Sequence, residues 1–363
     1  MLRKNADTII LGIAILLIVI GFAVLGSASS PWGKKQFHDP NYFVERQLLF
    51  CLTTGLFGFL AGMFTPPKFI RKISLAALIL NICLLVLVFT PFGVQDKTSS
   101  RWLEIKGVSI QPSELLKITF IIYISSWLAS AKRDRKTDVW EGFLPFLLIS
   151  GLVGFLLVIQ PATSIVLILM AATLIVYFVS GAKLSFIAAI TMLALIAFGL
   201  LIAFTPYRLA RFVTFFNKDA DPLGASFQVN QAMIAIGSGR IFGVGYGNST
   251  SKIIGLPEPI SDSIFAIAAE EFGFVGVIFF ILLFFVLTLA GFFGSLETKT
   301  KFGKFAMIGF SSIIGIQAFV NMAAISGMIP LTGTPLPFIS YGGTSLTVFM
   351  TMLGLMVNFY RNA

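Results

Sequence analysis

Glu114 and Lys117 lie three residues apart inside an apolar stretch, so on a helix they share a face. Each costs about 2.5 to 3.5 kcal/mol at the centre of a bilayer if unpaired. The pair reads either as an ion pair reaching for the outer interface or as the polar floor of an outward-facing cavity. Glu270 and Glu271 pose the same problem with like charges and no basic residue close by in sequence, so at least one must face protein or water. Asp262 stands where a polar loop gives way to an apolar run. It suits an N-cap, its carboxylate accepting from free amides at a helix start. It equally suits a general base that takes a proton from a hydroxyl while Arg or Lys holds an anionic leaving group. Cations for that second role lie between Tyr207 and Ser263: Arg208, Arg211, Lys218, Arg240 and Lys252, interspersed with Asp219, Asp221 and Glu258. One histidine, His38, and two cysteines in apolar runs, Cys51 and Cys83, make no zinc set, so any metal must be held by carboxylates.

The elements that position these groups are membrane spans. Of 363 residues, 57% are apolar and 12% charged, about half the charge of soluble proteins, which excludes a soluble enzyme. The net charge of +10 is scattered through short loops rather than gathered on one face, which sets nucleic acid aside and fits topology setting. Apolar runs predict ten helical spans, near 9–26, 48–64, 73–91, 111–129, 143–159, 163–181, 184–204, 264–292, 305–326 and 345–360. The first resembles a secretory signal, but nine further spans follow it. Arg3 and Lys4, then Lys68, Arg71 and Lys72, then Lys132, Arg133, Arg135 and Lys136, then Lys299, Lys301 and Lys304 all fall on one side. That side is expected to be cytoplasmic, with both termini in. The chain reads as one all-α polytopic bundle over residues 1–363, with a large outer loop of about 205–263 between spans seven and eight. No fixed-period repeat is visible.

Within that loop, Gly237, Gly239, Gly243, Gly245 and Gly247 alternate with apolar residues, the pattern of short amphipathic or re-entrant segments. No strand and no βαβ unit surrounds them, so they form no nucleotide loop. They suit tight turns and close approach to a ligand. The last outer loop, from Pro330 to Ser345, is too rich in Pro and Gly for helix, yet apolar enough to be buried in protein.

These motifs resemble a known family. Arg101-Trp102, Gln111-Pro-Ser-Glu-Leu-Leu-Lys117, Ala235-Ile-Gly-Ser-Gly239, Leu256-Pro-Glu258 with Asp262-Ser-Ile-Phe-Ala266, Glu270-Glu-Phe-Gly273 and Thr332-Gly-Thr-Pro-Leu-Pro-Phe-Ile-Ser-Tyr-Gly-Gly343 look like the SEDS family of shape, elongation, division and sporulation proteins. The match covers nearly the whole chain. Gly26-Ser-Ala-Ser-Ser30, Arg46-Gln47, Ala220-Asp-Pro222 and Gly243-Val-Gly-Tyr-Gly-Asn-Ser249 with Lys252 are similar to the division branch rather than the elongation branch. The resemblance implies a peptidoglycan glycosyltransferase of the bacterial cytoplasmic membrane that polymerises lipid II at the outer face, at the division septum. Its leaving group is undecaprenyl diphosphate, and its partners are a class B penicillin-binding protein and other divisome proteins. By the same resemblance Asp262 is the essential outer-loop aspartate, Glu114 and Lys117 line the central cavity with Arg46 nearby, and Glu258 precedes the aspartate. Gln111, Arg208, Arg240, Lys252, Ser340 and Tyr341 join them as substrate-binding candidates. A divalent cation, Mg or Mn, at the diphosphate is left open.

Two departures bear on the site. Gln160-Pro161-Ala162 stands where the family usually has Gln-Pro-Asp, so one cavity carboxylate is missing, and Ile260-Ser-Asp-Ser263 replaces His-Thr-Asp-Phe. Two alternatives remain at this stage: the polymerase of cell elongation, and a flippase that moves lipid II across the membrane. The flippase has little use for a carboxylate at the outer mouth.

Overall fold

The computed structural model describes residues 5–91, 93–96, 99–105, 108–130, 137–217 and 226–362. Arg3, Lys4, Lys132, Arg133, Arg135, Lys136, Lys218, Asp219 and Asp221, with the Ala220-Asp-Pro222 motif, lie outside them. Each expected span is helical. The first, α1, runs Ala6–Phe37, well past the predicted end, and continues through Pro31. Next come α2 (Tyr42–Arg46), a π-helical turn at Gln47–Leu52 and α3 (Thr53–Phe64), which together make the second span. Then follow α4 (Pro67–Leu87), α5 (Pro112–Leu128), α6 (Leu144–Ile159), α7 (Thr163–Val179) and α8 (Leu184–Ala203). Two of these, α5 and α7, have 17 residues each, short for a bilayer, and both are packed inside the bundle.

The connections hold structure that hydropathy does not show. The 93–110 connection folds as an antiparallel sheet in the order β1 (Gly93–Asp96), β2 (Ser99–Ile105), β3 (Val108–Ile110), a departure from an all-helical chain. The large outer loop contains α9 (Pro206–Phe216), α10 (Phe227–Ser238) and α11 (Ser251–Ile254), in keeping with the short amphipathic segments expected there. Three long helices complete the chain: α12 (Ile264–Ser295), α13 (Lys301–Ile325) and α14 (Gly343–Asn362).

Packing follows from where small residues fall. Gly58 and Gly62 on α3 face Thr351 and Leu355 of α14, and Gly354 faces the Phe59 carbonyl, so the two backbones touch with no room for a Cβ. Close approach through small residues substitutes for the hydrophobic drive that lipid removes. Asn358 then closes the end of α3, donating to the carbonyls of Gly62 at 2.7 Å and Thr65 at 2.6 Å. The hub is α13, with 78% of its apolar window buried; α8 is the opposite case, burying none. An ion pair of 2.8 Å between Arg361 and Asp7 sets the two ends of the chain side by side.

One break in a span shapes everything above it. At Gly273, with φ 66, α12 departs from helical geometry. The orphaned carbonyls of Glu270 and Glu271 accept from Val244 at 3.0 Å and Gly245 at 3.1 Å, while the amides of Phe274 and Val275 donate to Arg240 at 2.9 Å and Ile241 at 3.1 Å. The glycine-rich loop is thus spliced into the helix, and these four bonds pair backbone groups that the break frees, as a low-dielectric setting demands.

Candidate functional site

Asp262 does not cap α12. The N-cap is Ser263, no side chain caps the helix, and Asp262 sits one residue earlier in a turn. Its half-buried carboxylate lies over Gly333, where a Cβ would come within 3.5 Å of Oδ2. Burial first, and then the like charge of Glu258, push its pKa up from 3.8 to about 6, against the opposing pull of Arg211 and Arg101.

The surrounding backbone is held by named side chains. Asn321, near the end of α13, donates its Nδ2 to the Asp262 carbonyl at 3.0 Å and to the Thr334 carbonyl at 2.7 Å. Ser340 donates to the Ser261 carbonyl at 2.6 Å and accepts from the Leu336 amide at 2.8 Å, and the Tyr341 amide donates to the Ile260 carbonyl at 2.9 Å. The last outer loop is therefore a buried brace for the aspartate turn. Arg211 donates to the Leu331 carbonyl at 3.2 Å, and Arg101 donates to the carbonyls of Gln160 at 3.3 Å and Pro161 at 2.6 Å, immediately before Ala162.

Glu114 and Lys117 form an ion pair of 2.6 Å with 2% and 0% exposure, so the reading in which they snorkel to the interface is overturned. Lys117 also donates to Gln317 Oε1 at 2.6 Å, and Gln317 Nε2 donates to the Pro335 carbonyl at 2.9 Å. A short chain of polar contacts thus runs from the buried pair to the loop that holds Asp262. Gln317 and Asn321 were missed from sequence. Their signal was two amides four apart, hence on one face, in an otherwise apolar span.

The remaining candidates separate into two groups. Arg46 is exposed, bonds the Tyr42 hydroxyl at 3.1 Å and faces Tyr341 electrostatically; burial raises the Tyr341 pKa while Arg46 lowers it. Gln111 precedes α5 and donates its amide to Thr344 at 3.3 Å. Arg208 bonds Thr205 at 3.1 Å and the Val158 carbonyl at 3.2 Å. Glu258 accepts from Ser261 at 2.7 Å. Lys252, by contrast, is buried in a clamp with Glu271 at 2.9 Å, Ser27 at 2.7 Å and the Gly247 carbonyl at 2.8 Å. It supplies the cation that the sequence neighbourhood of Glu271 lacks. Glu270 is satisfied by Ser249 and by both the amide and the hydroxyl of Thr250. Arg240 is exposed, at the splice into α12.

Among the described residues no three His, Cys, Asp or Glu side chains gather as a metal set. Among the described residues Glu258 is the one carboxylate acting on Asp262, and it is already engaged by Ser261, so these described side chains alone do not make up a divalent-cation site.

The family profile described as "Cell cycle protein", covering FtsW, RodA and SpoVE, matches residues 7–363. The chain is 36% identical over 353 residues to a probable peptidoglycan glycosyltransferase FtsW of Trichlorobacter lovleyi, covering 97% of this chain and 92% of that one. It is 35% identical over 360 residues to stage V sporulation protein E of Bacillus subtilis, covering 99% and 98%. A solved structure described as "Structural coordination of polymerization and crosslinking by a peptidoglycan synthase complex" is similar with a TM-score of 0.80 at 25% identity, covering 97% and 96%. The crystal structure of Thermus thermophilus RodA shares the fold with a TM-score of 0.70, covering 97% and 95%.

Proposed function

The chain belongs to the FtsW, RodA and SpoVE family of cell cycle proteins, and from that membership we propose that it is a peptidoglycan glycosyltransferase of the cytoplasmic membrane, polymerising lipid II at the outer face. The observation that carries the chemistry is the Asp262 carboxylate, held over Gly333 on a braced turn and raised by burial to about 6 against the pull of Arg211 and Arg101. A base with a pKa near the working pH is both mostly ionised and basic enough to accept a proton.

In the proposed reaction, Asp262 takes the proton of the GlcNAc 4-hydroxyl of one lipid II. The oxygen attacks the anomeric carbon of the MurNAc on the growing chain, and the bond from that carbon to the diphosphate breaks with inversion. The electron pair leaves with undecaprenyl diphosphate, whose charge Arg211 and Arg101 offset, with Arg208 one turn away on α9. Glu114, Lys117 and Gln317 stiffen the floor below, while Ser340 and the Tyr341 backbone brace the aspartate turn. Arg46, Gln111, Glu258 and Tyr341 flank the approach. The positive-inside pattern supports an outward-facing site, and the division-type motifs support work at the septum with a class B penicillin-binding protein.

The test is glycan polymerisation from purified lipid II in proteoliposomes, with a transglycosylase-free class B partner and with Asp262→Ala alongside. Long strands from the native chain and none from the variant are expected. Strands of equal length from both remove Asp262 from catalysis, and no strands from either, with partner binding confirmed, turn the reading toward lipid transport.

A further inference from the structure

The Asp262 carboxylate rests on Gly333, whose Cβ position lies 3.5 Å from Oδ2. Residues 331–336 form neither helix nor strand, so side chains rather than a backbone ladder hold their carbonyls and set the height of that seat. Arg211 donates to the Leu331 carbonyl, Asn321 to that of Thr334 and Gln317 to that of Pro335. The hydroxyls of Thr332 and Thr334 meet at 3.1 Å across Gly333. The carbonyl of Thr332 belongs to the peptide that enters Gly333, and its donor is the hydroxyl of Ser164.

Ser164 is the second residue of α7, behind the N-cap Ala162, which has no side-chain oxygen to cap with. A hydroxyl in a span ordinarily bonds back to its own helix, as Thr173 of α7 does to the Leu169 carbonyl at 2.9 Å. That of Ser164 reaches instead to a loop 168 residues further along the chain. The start of α7 is itself a fixed point: Arg101 donates to the carbonyls of Gln160 and Pro161, and Ala162 is buried. We infer that Ser164 is a positioning residue for Asp262, fixing the Thr332 carbonyl and, through it, the glycine on which the carboxylate rests. With Asn321 holding Thr334 from α13, Gly333 is clamped on both sides from two different spans. Loss of the α7 side lets the seat drop and admits water to the carboxylate. This rests on the reading of Asp262 as the base and adds α7 to the elements that place it.

The test compares Ser164→Ala, Ser164→Thr and Thr173→Ala with the native full-length chain, each with its class B partner in the lipid II assay. Ser164→Ala removes the donor and keeps a good helix former; it is expected to lower kcat about three- to tenfold, the worth of one neutral hydrogen bond, with KM changed by less than about twofold. The flank of its pH–rate profile, near 6 in the native chain, is expected to move to lower pH, because a carboxylate opened to water returns toward 3.8. Ser164→Thr keeps the hydroxyl and should restore most of both. Thr173→Ala, away from the site, should lower Tm without moving the flank. A second readout needs no turnover. The folded chain binds the Asp262 proton more tightly than the unfolded one, so this group's contribution to Tm falls as pH rises from 3.8 through about 6, and Ser164→Ala should flatten that slope. Should Ser164→Ala fail to fold, Ser164→Cys, nearly isosteric with a weak donor, is read in the same way. Native kcat, native flank and native slope in the variant overturn the inference and leave the polymerase reading standing. A flattened slope with no strands from any chain, the native one included, keeps the role of Ser164 and removes the polymerase reading.

Discussion

Asn321 holds Asp262 by its backbone: the carboxamide nitrogen lies 3.0 Å from the Asp262 carbonyl and 2.7 Å from that of Thr334. One turn earlier on α13, Gln317 holds the Pro335 carbonyl and receives Lys117. Two neutral amides thus tie the aspartate turn, the last outer loop and the buried ion pair to a single helix face. Asn321→Ala leaves two carbonyls without this donor, a loss of about 1 to 3 kcal/mol for each one left buried and unpaired. The expected outcome is a folded, partner-binding protein whose kcat in the lipid II assay falls by more than its KM changes, since the base is misplaced rather than removed. Asn321→Gln, which keeps the donor, should restore part of that loss.

The titration of Asp262 sets a pH dependence with a definite sign. In the folded chain the carboxyl keeps its proton up to about 6 instead of 3.8, so polymerisation should fall as pH drops through about 6. Glu258→Gln removes the like charge and should move that inflection to lower pH, and Arg101→Gln should move it higher. Stability runs the other way. The native state binds this proton more tightly than the unfolded chain, so the contribution is fully present below 3.8 and is lost as pH rises through about 6. Thermal unfolding between those values should show a slope in the native chain that Asp262→Asn lacks.

The buried Glu114–Lys117 pair is a matter of compensation rather than of net stabilisation. Lys117→Met strands a carboxylate at 2% exposure and is expected to cost about 3 to 5 kcal/mol. Glu114→Gln combined with Lys117→Met removes both charges and should recover most of the unfolding temperature. Activity should not return with it, because Gln317 loses the ammonium that orients its amide toward Pro335. Tm and strand length measured on the same three proteins check both halves.

How far each feature was legible follows from its range. Spans are local and apolar, so hydropathy found them. Charge inside an apolar run brought Glu114 and Lys117 into view, spacing put them on one face, position at the start of a span picked out Asp262, and the family motifs then gave each a role. Spacing could not say whether that pair reached water, since the answer depends on Gln317, 200 residues away. Lys252 looked like one more loop cation; its partner Glu271 lies across the splice into α12, a contact no periodicity encodes. Asp262 looked like a cap because it is the last carboxylate before the apolar run, and only backbone geometry gives the N-cap position to Ser263. The sheet at 93–110 escaped notice because β1 and β3 have only four and three residues and β2 shows no strict apolar–polar alternation.

Gly273 is the residue on which the splice depends. At φ 66 and ψ −165 it occupies a backbone region open essentially only to glycine, which costs any other residue on the order of 1 to 3 kcal/mol, and a Cβ there would collide with the Gly243 amide and the Ile241 carbonyl. Gly273→Ala should therefore cost more than the dihedral strain alone, by forcing the 240–245 segment out of α12 and exposing the carbonyls of Glu270 and Glu271. Gly151 in α6 is the control: it lies in regular helix with nothing within 4 Å of its Cβ position, so Gly151→Ala should stabilise by about 0.5 to 1 kcal/mol. In thermal unfolding the first variant should fall well below the native Tm and the second should match or exceed it. Polymerisation is expected to fall in Gly273→Ala even at temperatures where it stays folded, if the break in α12 carries the start of that helix, and Asp262 just before it, to its place. Retained activity in that variant would mean that the base is positioned by Asn321, Ser340 and Ser164 alone.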